Sequence, residues 1–342
     1  MRDRNSSIEL LRIISITLIV LMHSMGMVKN PMSDINTAIG MLIGTVGNTG
    51  VTIFILISGY FGIKYKTHRF VQLFLITTTY TIIVTTINSH GALGIHTLKA
   101  ALVVPLYGNW FIACYLITML LSPFVNEFTD NLEKRHFTTL LIIGFVMLNL
   151  IPTIFNSAYD NAVLIGGGKN LTYFIYVYLI GRFIKLHKDI CLAHSKLMVA
   201  FLFSTTIIFM SNMTLYMIFH RRVGSISADC SPFILLSSIS IFYFFKGFKY
   251  HSKIINTISS SVIAMYLCDG IRVYLDSYIR LSSKSYEPAL IIYLMAMTIS
   301  VFALSLIIDK VRIMLFGNFE TYICDSISSK IEAVFYKFRD RL

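Results

Sequence analysis

The chain has 342 residues, of which 56% are hydrophobic and 13% charged, with a formal net charge of +12. Soluble domains contain roughly 45–50% apolar residues, so this composition excludes a water-soluble globular protein. The surplus of Lys and Arg does not indicate a nucleic-acid partner, because most of it lies in one set of loops between apolar segments.

Ten apolar segments follow one another along the chain, most of them near the roughly 20 residues that a helix needs to cross a bilayer. They cover residues 9–28, 40–62, 70–89, 104–125, 138–156, 171–186, 196–219, 231–248, 254–279 and 287–308. The sixth is short, and Pro105, Gly108 and Asn109 interrupt the fourth. We predict an all-α integral membrane protein, a bundle of about ten transmembrane helices.

The basic residues are concentrated in alternate loops. With the N-terminus inside, the inner segments hold 20 of the 29 Lys and Arg residues, the outer loops hold seven, and the spans hold Arg12 and Arg272. Inner loops of membrane proteins carry such an excess of positive charge. Both termini are therefore predicted to be cytoplasmic, in a multi-pass protein of the cell membrane, plasma or inner. We expect lipid as a partner and no nucleic acid.

The chain divides at about residue 310. Residues 1–310 are predicted to form the transmembrane domain, and residues 311–342 a cytoplasmic amphipathic tail. In the tail, apolar residues recur at helical spacing among charges, at Ile323, Ile327, Ile331, Val334 and Phe338. That spacing is typical of a helix on the inner membrane surface.

Two ionisable residues share one face of the first span. Arg12 and His23 are eleven positions apart, which is three helical turns plus roughly 20°, and about 16.5 Å along the axis. If the helix enters lipid near Glu9, Arg12 lies in the inner leaflet, and His23 lies past the midplane toward the outside, about 21 Å deep. A guanidinium suits the phosphates of a long donor, and an imidazole suits a base or a nucleophile at its reactive end.

Each of the two residues also has a structural explanation. Arg12 could extend to the inner headgroups, as long basic side chains do near helix ends. His23 could be a packing histidine that is hydrogen-bonded to a neighbouring hydroxyl. Their position on one face favours the functional interpretation of both.

Arg12, ten intervening residues and His23 form the pattern R-x10-H, and by it the chain resembles the acyltransferase-3 family, multi-span enzymes that O-acylate surface polysaccharides and related acceptors. Further similar stretches are Arg4 to Ile13, the Phe54 to Gly62 segment that contains Ser58-Gly59-Tyr60, Asn109 to Asn126, and Ile254 to Leu267. The resemblance covers roughly residues 4 to 310. It implies that His23 is catalytic, that Arg12 serves the donor, and that the donor is a cytosolic acyl-CoA, usually acetyl-CoA.

Asp269 is a second catalytic candidate. Many members of the family have a histidine just after the late Tyr-Leu pair, where this chain has Cys268 and Asp269. Asp269 lies about 20 Å from the inner face if its helix begins near Asn256, close to the depth of His23. It could then orient and polarise the imidazole. The alternative is that Asp269 forms a structural ion pair with Arg272, three positions later.

Four other residues are candidates for substrate contacts. Ser58 and Gly59 are expected to approach the donor, although small residues also allow two helix backbones to pack closely. Tyr107 and Trp110 are expected to contact the acceptor sugar, although aromatic residues also anchor spans at the membrane interface. The five cysteines show no metal-ligand spacing, so we predict no metal site and no cofactor besides acetyl-CoA as cosubstrate.

The expected reaction is transfer of an acetyl group from cytosolic acetyl-CoA to a sugar hydroxyl of a surface polysaccharide or lipid-linked oligosaccharide. His23 acts as a general base or as a transient acyl carrier, and the sequence does not separate direct from ping-pong transfer. The alternative from another class is a transporter or flippase for lipid-linked glycans. Transporters usually show paired interrupted helices in two related halves, and only the fourth segment is clearly interrupted here. A structural assembly partner would tolerate replacement of Arg12 and His23.

Overall fold

The computed structural model describes residues 5–92, 94–161, 163–187, 193–219 and 224–339, except the side chains of His96 and of residues 334–339. Arg4 of the opening motif and Cys191 therefore lie outside the described residues. Throughout these ranges the regular secondary structure is helical. The α-helices are α1 (Ser6–Met25), α2 (Asp34–Phe61), α3 (Thr67–Asn88), α4 (Ile95–Val103), α5 (Trp110–Asn131), α6 (Lys134–Phe145), α7 (Ile151–Ile154), α8 (Leu171–Leu186), α9 (His194–Phe219), α10 (Pro232–Lys246), α11 (Lys253–Ser259), α12 (Val262–Leu267), α13 (Arg272–Ile279) and α14 (Leu290–Arg339).

Eight helical stretches in the described ranges are long and apolar enough to cross a membrane. They are Ser6–Met25, Asp34–Phe61, Thr67–Asn88, Trp110–Asn131, Lys134–Ile154, His194–Phe219, Ser225–Lys246 and Leu290–Ala333. The predicted class, an all-α membrane protein, is thus confirmed, and the described ranges contain eight candidate spans where about ten were predicted. The other two predicted segments differ from a simple span. Helix α8 has only 16 residues, and the segment 254–279 is divided among α11, α12 and α13.

The first helix begins where its sequence provides a cap. The side chain of Asn5 accepts a hydrogen bond from the amide of Ser7, which satisfies one of the unpaired amides at a helix start. Helix α1 then packs closely on α2. A Cβ atom at Gly50 would lie 2.8 Å from the carbonyl oxygen of Ser15, so only a glycine permits this approach. The helix that carries Arg12 and His23 is therefore in close backbone contact with α2.

Two breaks divide the ninth predicted segment. The first follows Ser259, at the end of α11, and the second is a short turn of 3-10 helix, Asp269–Ile271, between α12 and α13. Backbone breaks at membrane depth are tolerated where they are enclosed by protein or line a cavity. Ser259 and Asp269, one at each break, are both buried, so protein packs against each break.

Helix α14 continues without interruption through the expected domain boundary at residue 310. Its 50 residues make it about 75 Å long, more than twice the thickness of the hydrocarbon layer. Beyond residue 310, Arg312, Cys324 and Ser328 are buried, and Asp325 lies 3.3 Å from His68 at the start of α3. The first part of the predicted tail is therefore packed against α3, as an extension of the last span.

Candidate functional site

The structure brings His23 and Asp269 together. The Nδ1 atom of His23 lies 2.7 Å from the Oδ2 atom of Asp269. The same Oδ2 atom accepts a hydrogen bond from the guanidinium of Arg272, whose Nη1 atom also lies 3.3 Å from the backbone carbonyl oxygen of Asp269. The two arrangements that the sequence left as alternatives are thus both present, and one carboxylate oxygen serves two donors.

The turn between α12 and α13 positions Asp269. The next residue in this turn, Gly270, accepts a hydrogen bond of 3.1 Å at its backbone carbonyl from the side-chain amide of Asn88, in the last turn of α3. The side chain of Asp269 is only 10% exposed, whereas that of His23 is 36% exposed. The imidazole can therefore be reached from outside the pair, while the carboxylate is held inside the protein.

Arg12 is also paired with an acid. Its Nη1 atom lies 3.1 and 3.2 Å from the two carboxylate oxygens of Glu9, one turn earlier on α1. Glu9 in turn accepts a hydrogen bond of 2.5 Å from the hydroxyl of Ser259, at the first break of the ninth segment. The guanidinium is thus held by an ion pair within α1, near the first break of the ninth segment.

A cavity of about 370 Å³ opens beside Arg12. Its lining comes from α1, α2, α3, α5, α11 and α12 together with the serine break: Glu9, Arg12, Ile19, Val51, Phe54, Ser58, Leu73, Phe111, Ile112, Tyr115, Ser259, Ser260, Val262, Ile263 and Tyr266. Polar groups lie at the Glu9 and Arg12 end, and most of the remaining wall is apolar or aromatic. Such a wall with a few placed polar groups is typical of a small-molecule site.

The far end of the cavity lies one helical turn from the His23–Asp269 pair. Ile19 lines the cavity four residues before His23 on α1, and Tyr266 lines it three residues before Asp269. The hydroxyl of Tyr266 donates a hydrogen bond of 2.9 Å to the side chain of Asn109, which closes the wall between α12 and α5. The cavity therefore runs from the Arg12 ion pair toward the imidazole without including it.

Ser58 and Gly59 occupy different environments although they are adjacent. Ser58 lines the cavity, with its hydroxyl donating to the carbonyl of Phe54. Gly59 faces α8 instead, where an added Cβ would lie 2.2 Å from the carbonyl oxygen of Tyr178 and 3.0 Å from the Cα of Gly181. The backbone of Gly59 thus packs closely on that of α8, and its expected contact with the donor stays a prediction.

The two aromatic candidates lie near the interruption of the fourth segment. A π-helical turn, Val104–Gly108, precedes Asn109, and α5 begins at Trp110. The ring of Trp110 packs edge-on against that of Phe111, a cavity residue, with centroids 5.8 Å apart. Tyr107 is 84% exposed, so it belongs to the surface of the bundle. Of these two rings, only Trp110 adjoins the cavity.

Sequence reasoning did not identify Glu9 as part of the site. The signal was present, because Glu9 precedes Arg12 by three positions and such pairs meet on one helix face. Its position at the start of the first span had placed it at the interface rather than in the protein. Tyr115, which also lines the cavity, lies within the Asn109 to Asn126 stretch that resembles the family, but sequence reasoning assigned it no role of its own.

The described residues contain no group of three or more His, Cys, Asp or Glu side chains that could hold a metal ion. Cys114, Cys230, Cys268 and Cys324 are buried free thiols. Cys191 lies outside the described ranges.

Comparison with curated proteins gives no match to the chain, and neither does comparison with solved structures. Comparison with protein families gives one that covers most of it. The acyltransferase domain of the acyltransferase-3 family matches residues 5–310, a range that contains Arg12, His23, the cavity and Asp269. The chain therefore belongs to the acyltransferase-3 family and is a multi-pass membrane acyltransferase.

Proposed function

We propose that this protein transfers an acetyl group from cytosolic acetyl-CoA to a sugar hydroxyl of a cell-surface polysaccharide or lipid-linked oligosaccharide. The observation that carries the proposal is the cavity that begins at the Arg12–Glu9 pair and ends one turn from the His23–Asp269 pair. It joins a phosphate-binding group to a candidate base along one face of α1.

The dimensions of α1 fit a donor with this chemistry. Arg12 and His23 are about 16.5 Å apart along the helix axis, similar to the length of the extended pantetheine arm that joins the diphosphate of coenzyme A to its sulfur. The guanidinium of Arg12 would bind the diphosphate in the planar geometry that arginine provides. The apolar and aromatic wall, including Phe54 and Tyr115, would enclose the arm.

The contact between His23 and Asp269 supports a general-base role. With Nδ1–H donating to the carboxylate, the lone pair of the imidazole is on Nε2. Nε2 would remove the proton of the acceptor hydroxyl as its oxygen attacks the thioester carbonyl. The carbon–sulfur bond then breaks, and the proton passes from Nε2 to the departing thiolate. Asp269 would stabilise the imidazolium between these two steps.

The exposure of His23 supports an acceptor that approaches from the other side of the imidazole. The cavity reaches toward His23 from the Arg12 end, while 36% of the His23 side chain remains accessible. Since the Arg12 end is predicted to face the cytoplasm, the acceptor would arrive from the outer leaflet. Exported glycans and lipid-linked oligosaccharides are the hydroxyl-rich acceptors found there.

Release of free thiol from acetyl-CoA tests the proposal. Purified protein in lipid nanodiscs would be given acetyl-CoA with and without a preparation of surface polysaccharide, and the thiol measured with a chromogenic disulfide. We expect acceptor-dependent release in the wild type and none in His23→Ala. A flippase for lipid-linked glycans would release no thiol with any acceptor, and that result would overturn the proposal.

A further inference from the structure

The connection between α2 and α3 is held at Ile63. The hydroxyl of Tyr178, on α8, accepts a hydrogen bond of 3.0 Å from the Ile63 amide, and the side-chain amide of Asn126, on α5, donates one of 2.8 Å to the Ile63 carbonyl oxygen. The Tyr178 hydroxyl donates in turn to Oδ1 of Asn126, at 2.7 Å. The three bonds close a ring, here called the Ile63 clamp, in which Asn126 and Tyr178 satisfy both backbone groups of one residue.

The clamp lies inside the protein. Tyr178 is fully buried, and Ile63 is also buried. A buried polar group that loses its partner is left unsatisfied, at a cost larger than the net gain of one hydrogen bond. The ring therefore stays closed unless one of its members is replaced.

A second contact anchors the same connection. Gly62 has a φ of +72°, a conformation that favours glycine, and it turns the chain away from the axis of α2. A Cβ atom at Gly62 would lie 2.9 Å from Nη1 of Arg182, one turn after Tyr178 on α8. Arg182 also pairs with Asp130, near the end of α5. Side chains of α5 and α8 therefore hold the chain at two successive residues, Gly62 and Ile63.

The clamp is connected to Arg12 through Phe61. Phe61 is the last residue of α2, two positions before Ile63, and the guanidinium carbon of Arg12 lies 5.9 Å from the centroid of its ring. Ser58, one turn earlier on α2, lines the cavity. Phe61 is 53% exposed, so its own burial does not determine where its ring lies. Its position depends instead on the backbone that the clamp holds.

We propose that Asn126 and Tyr178 are positioning residues for the acyl donor: by holding Ile63 they fix the end of α2 beside Arg12 and keep the Arg12 end of the cavity in its binding geometry. The inference rests on the proposed function. A site that is ordered before its ligand arrives binds more tightly, because the ligand does not have to order it. Neither Asn126 nor Tyr178 is among the residues that line the cavity, so both act through Phe61 and Arg12.

Two thioesters test the proposal. Acetyl-CoA carries the diphosphate, and acetyl-pantetheine has the same thioester and arm without it. Thiol release from each, with a preparation of surface polysaccharide, would be measured in nanodiscs for the wild type, Asn126→Ala, Tyr178→Phe, the double variant and Asn131→Ala. Asn131 is a matched control, because it is an exposed asparagine at the end of α5 whose side chain donates to Glu127 of its own helix.

The two single variants should lose donor binding and keep the chemistry. We expect kcat/KM for acetyl-CoA to fall about tenfold through a higher KM, with kcat near that of the wild type, as when the donor must order one backbone residue. For acetyl-pantetheine, which has no phosphate for Arg12, kcat/KM should not change. The double variant should lose no more than the more affected single variant, since both changes open the same ring. Asn131→Ala should match the wild type with both thioesters.

The outcomes distinguish this inference from the proposed function. An equal loss with the two thioesters, or a lower Tm with unchanged kinetics, would show that the clamp only stabilises the fold. Tyr178→Phe keeps the buried ring and decides the matter if Asn126→Ala does not fold. Equal kcat/KM for the two thioesters in the wild type would also overturn the inference, because the diphosphate would then not be recognised. If the wild type releases no thiol from either compound, the proposed function itself fails.

Discussion

The Nδ1 atom of His23 and the Oδ2 atom of Asp269 lie 2.7 Å apart, although 246 positions separate the two residues in the chain. Since Oδ2 also accepts from Arg272, the carboxylate is held by a cation on one side and by the imidazole on the other. The contact fixes which nitrogen of His23 faces Asp269 and leaves Nε2 for a substrate.

Replacing His23 by alanine should abolish acyl transfer and preserve the fold. The imidazole is only partly buried and its removal makes α1 more apolar, so membrane insertion should stay near the wild-type level. Loss of a general base lowers rates by about 10²- to 10⁴-fold. The rate of thiol release and the yield of folded protein in detergent measure the two effects separately. Full transfer by His23→Ala would show that the histidine only packs.

Asp269 and Arg272 are best tested together. Asp269→Asn should lower the rate at saturating substrates by about 10²- to 10⁴-fold, because the imidazolium loses its partner. It also leaves Arg272 without its carboxylate, which should destabilise the protein. Adding Arg272→Gln should then restore stability without restoring transfer. Thermal unfolding and thiol release across the two single variants and the double variant provide the cycle. Transfer restored in the double variant would reduce Asp269 to a structural partner of Arg272.

Arg12→Lys separates phosphate binding from simple positive charge. Lysine keeps the charge near Glu9 but lacks the planar fork, so the KM for acetyl-CoA should rise about tenfold while the KM for the acceptor stays the same. Steady-state kinetics with each substrate varied in turn would measure both values. Lys330→Gln, which removes a distant exposed charge on α14, should alter neither. Equal KM values for acetyl-CoA in the wild type and Arg12→Lys would remove Arg12 from the donor site.

Much of the fold follows from apolar segment length, because a bilayer permits few alternatives to helices for a spanning chain. The breaks in the ninth segment do not follow from it. Ser259 and Asp269 lie in a stretch of ordinary span length, and at the two breaks their side chains contact Glu9 and His23. Hydropathy averages over a window and does not register where buried polar partners interrupt a helix.

The candidate site was predictable to the extent that helix geometry determines depth. The positions of His23 and Asp269 along their segments put both at about the same distance from the inner face. Two residues at the same depth can still lie on opposite sides of the bundle. The contact between His23 and Asp269 is therefore seen only in the structure. Gly59 shows the opposite case. Its sequence neighbourhood suggested the donor, whereas the contact with Tyr178 and Gly181 depends on where α8 packs.

Gly59→Ala should destabilise the protein by its clash with α8. The added Cβ would lie 2.2 Å from a backbone oxygen, which cannot move as a flexible side chain can. Overpacking of this kind costs about 1–3 kcal/mol. Gly44→Ala in the same helix is a matched control, since nothing lies within 4 Å of its added Cβ. Thermal unfolding, followed with a dye that reacts with the buried cysteines, should show a lower Tm for Gly59→Ala alone. A normal Tm combined with a higher KM for acetyl-CoA would place Gly59 at the donor site.

A buried polar cluster lies where α3 meets α14. The hydroxyl of Tyr80 donates a hydrogen bond of 2.5 Å to Asp309, and Nη2 of Arg312 lies 3.0 Å from the same carboxylate oxygen. Arg312 also donates to Tyr80 at 3.0 Å and pairs with Glu320. Arg312 and Glu320 lie beyond the part of the chain that matches the family, which ends at residue 310. If the segment after 310 were an independent tail, its loss would leave the domain unaffected.

The cluster predicts the opposite. Arg312→Leu leaves Asp309, whose side chain is 4% exposed, buried without its cation, at a cost of about 3–5 kcal/mol. Replacing both residues by leucine removes the unpaired charge, so Asp309→Leu combined with Arg312→Leu should recover most of the lost stability. Tyr80→Phe should cost less, about 1–3 kcal/mol, because it removes one hydroxyl from the network.

Thermal unfolding of these variants, of Lys330→Gln and of the chain ended after Lys310 would provide the comparison. We expect the shortened chain to be less stable than the wild type, because it lacks Arg312 and Glu320 of the cluster. Lys330→Gln should be as stable as the wild type. Since α3 also supplies Leu73 to the cavity wall, the shortened chain should release less thiol as well. A shortened chain with wild-type stability and thiol release would show that the segment after Lys310 does not support the acyltransferase domain.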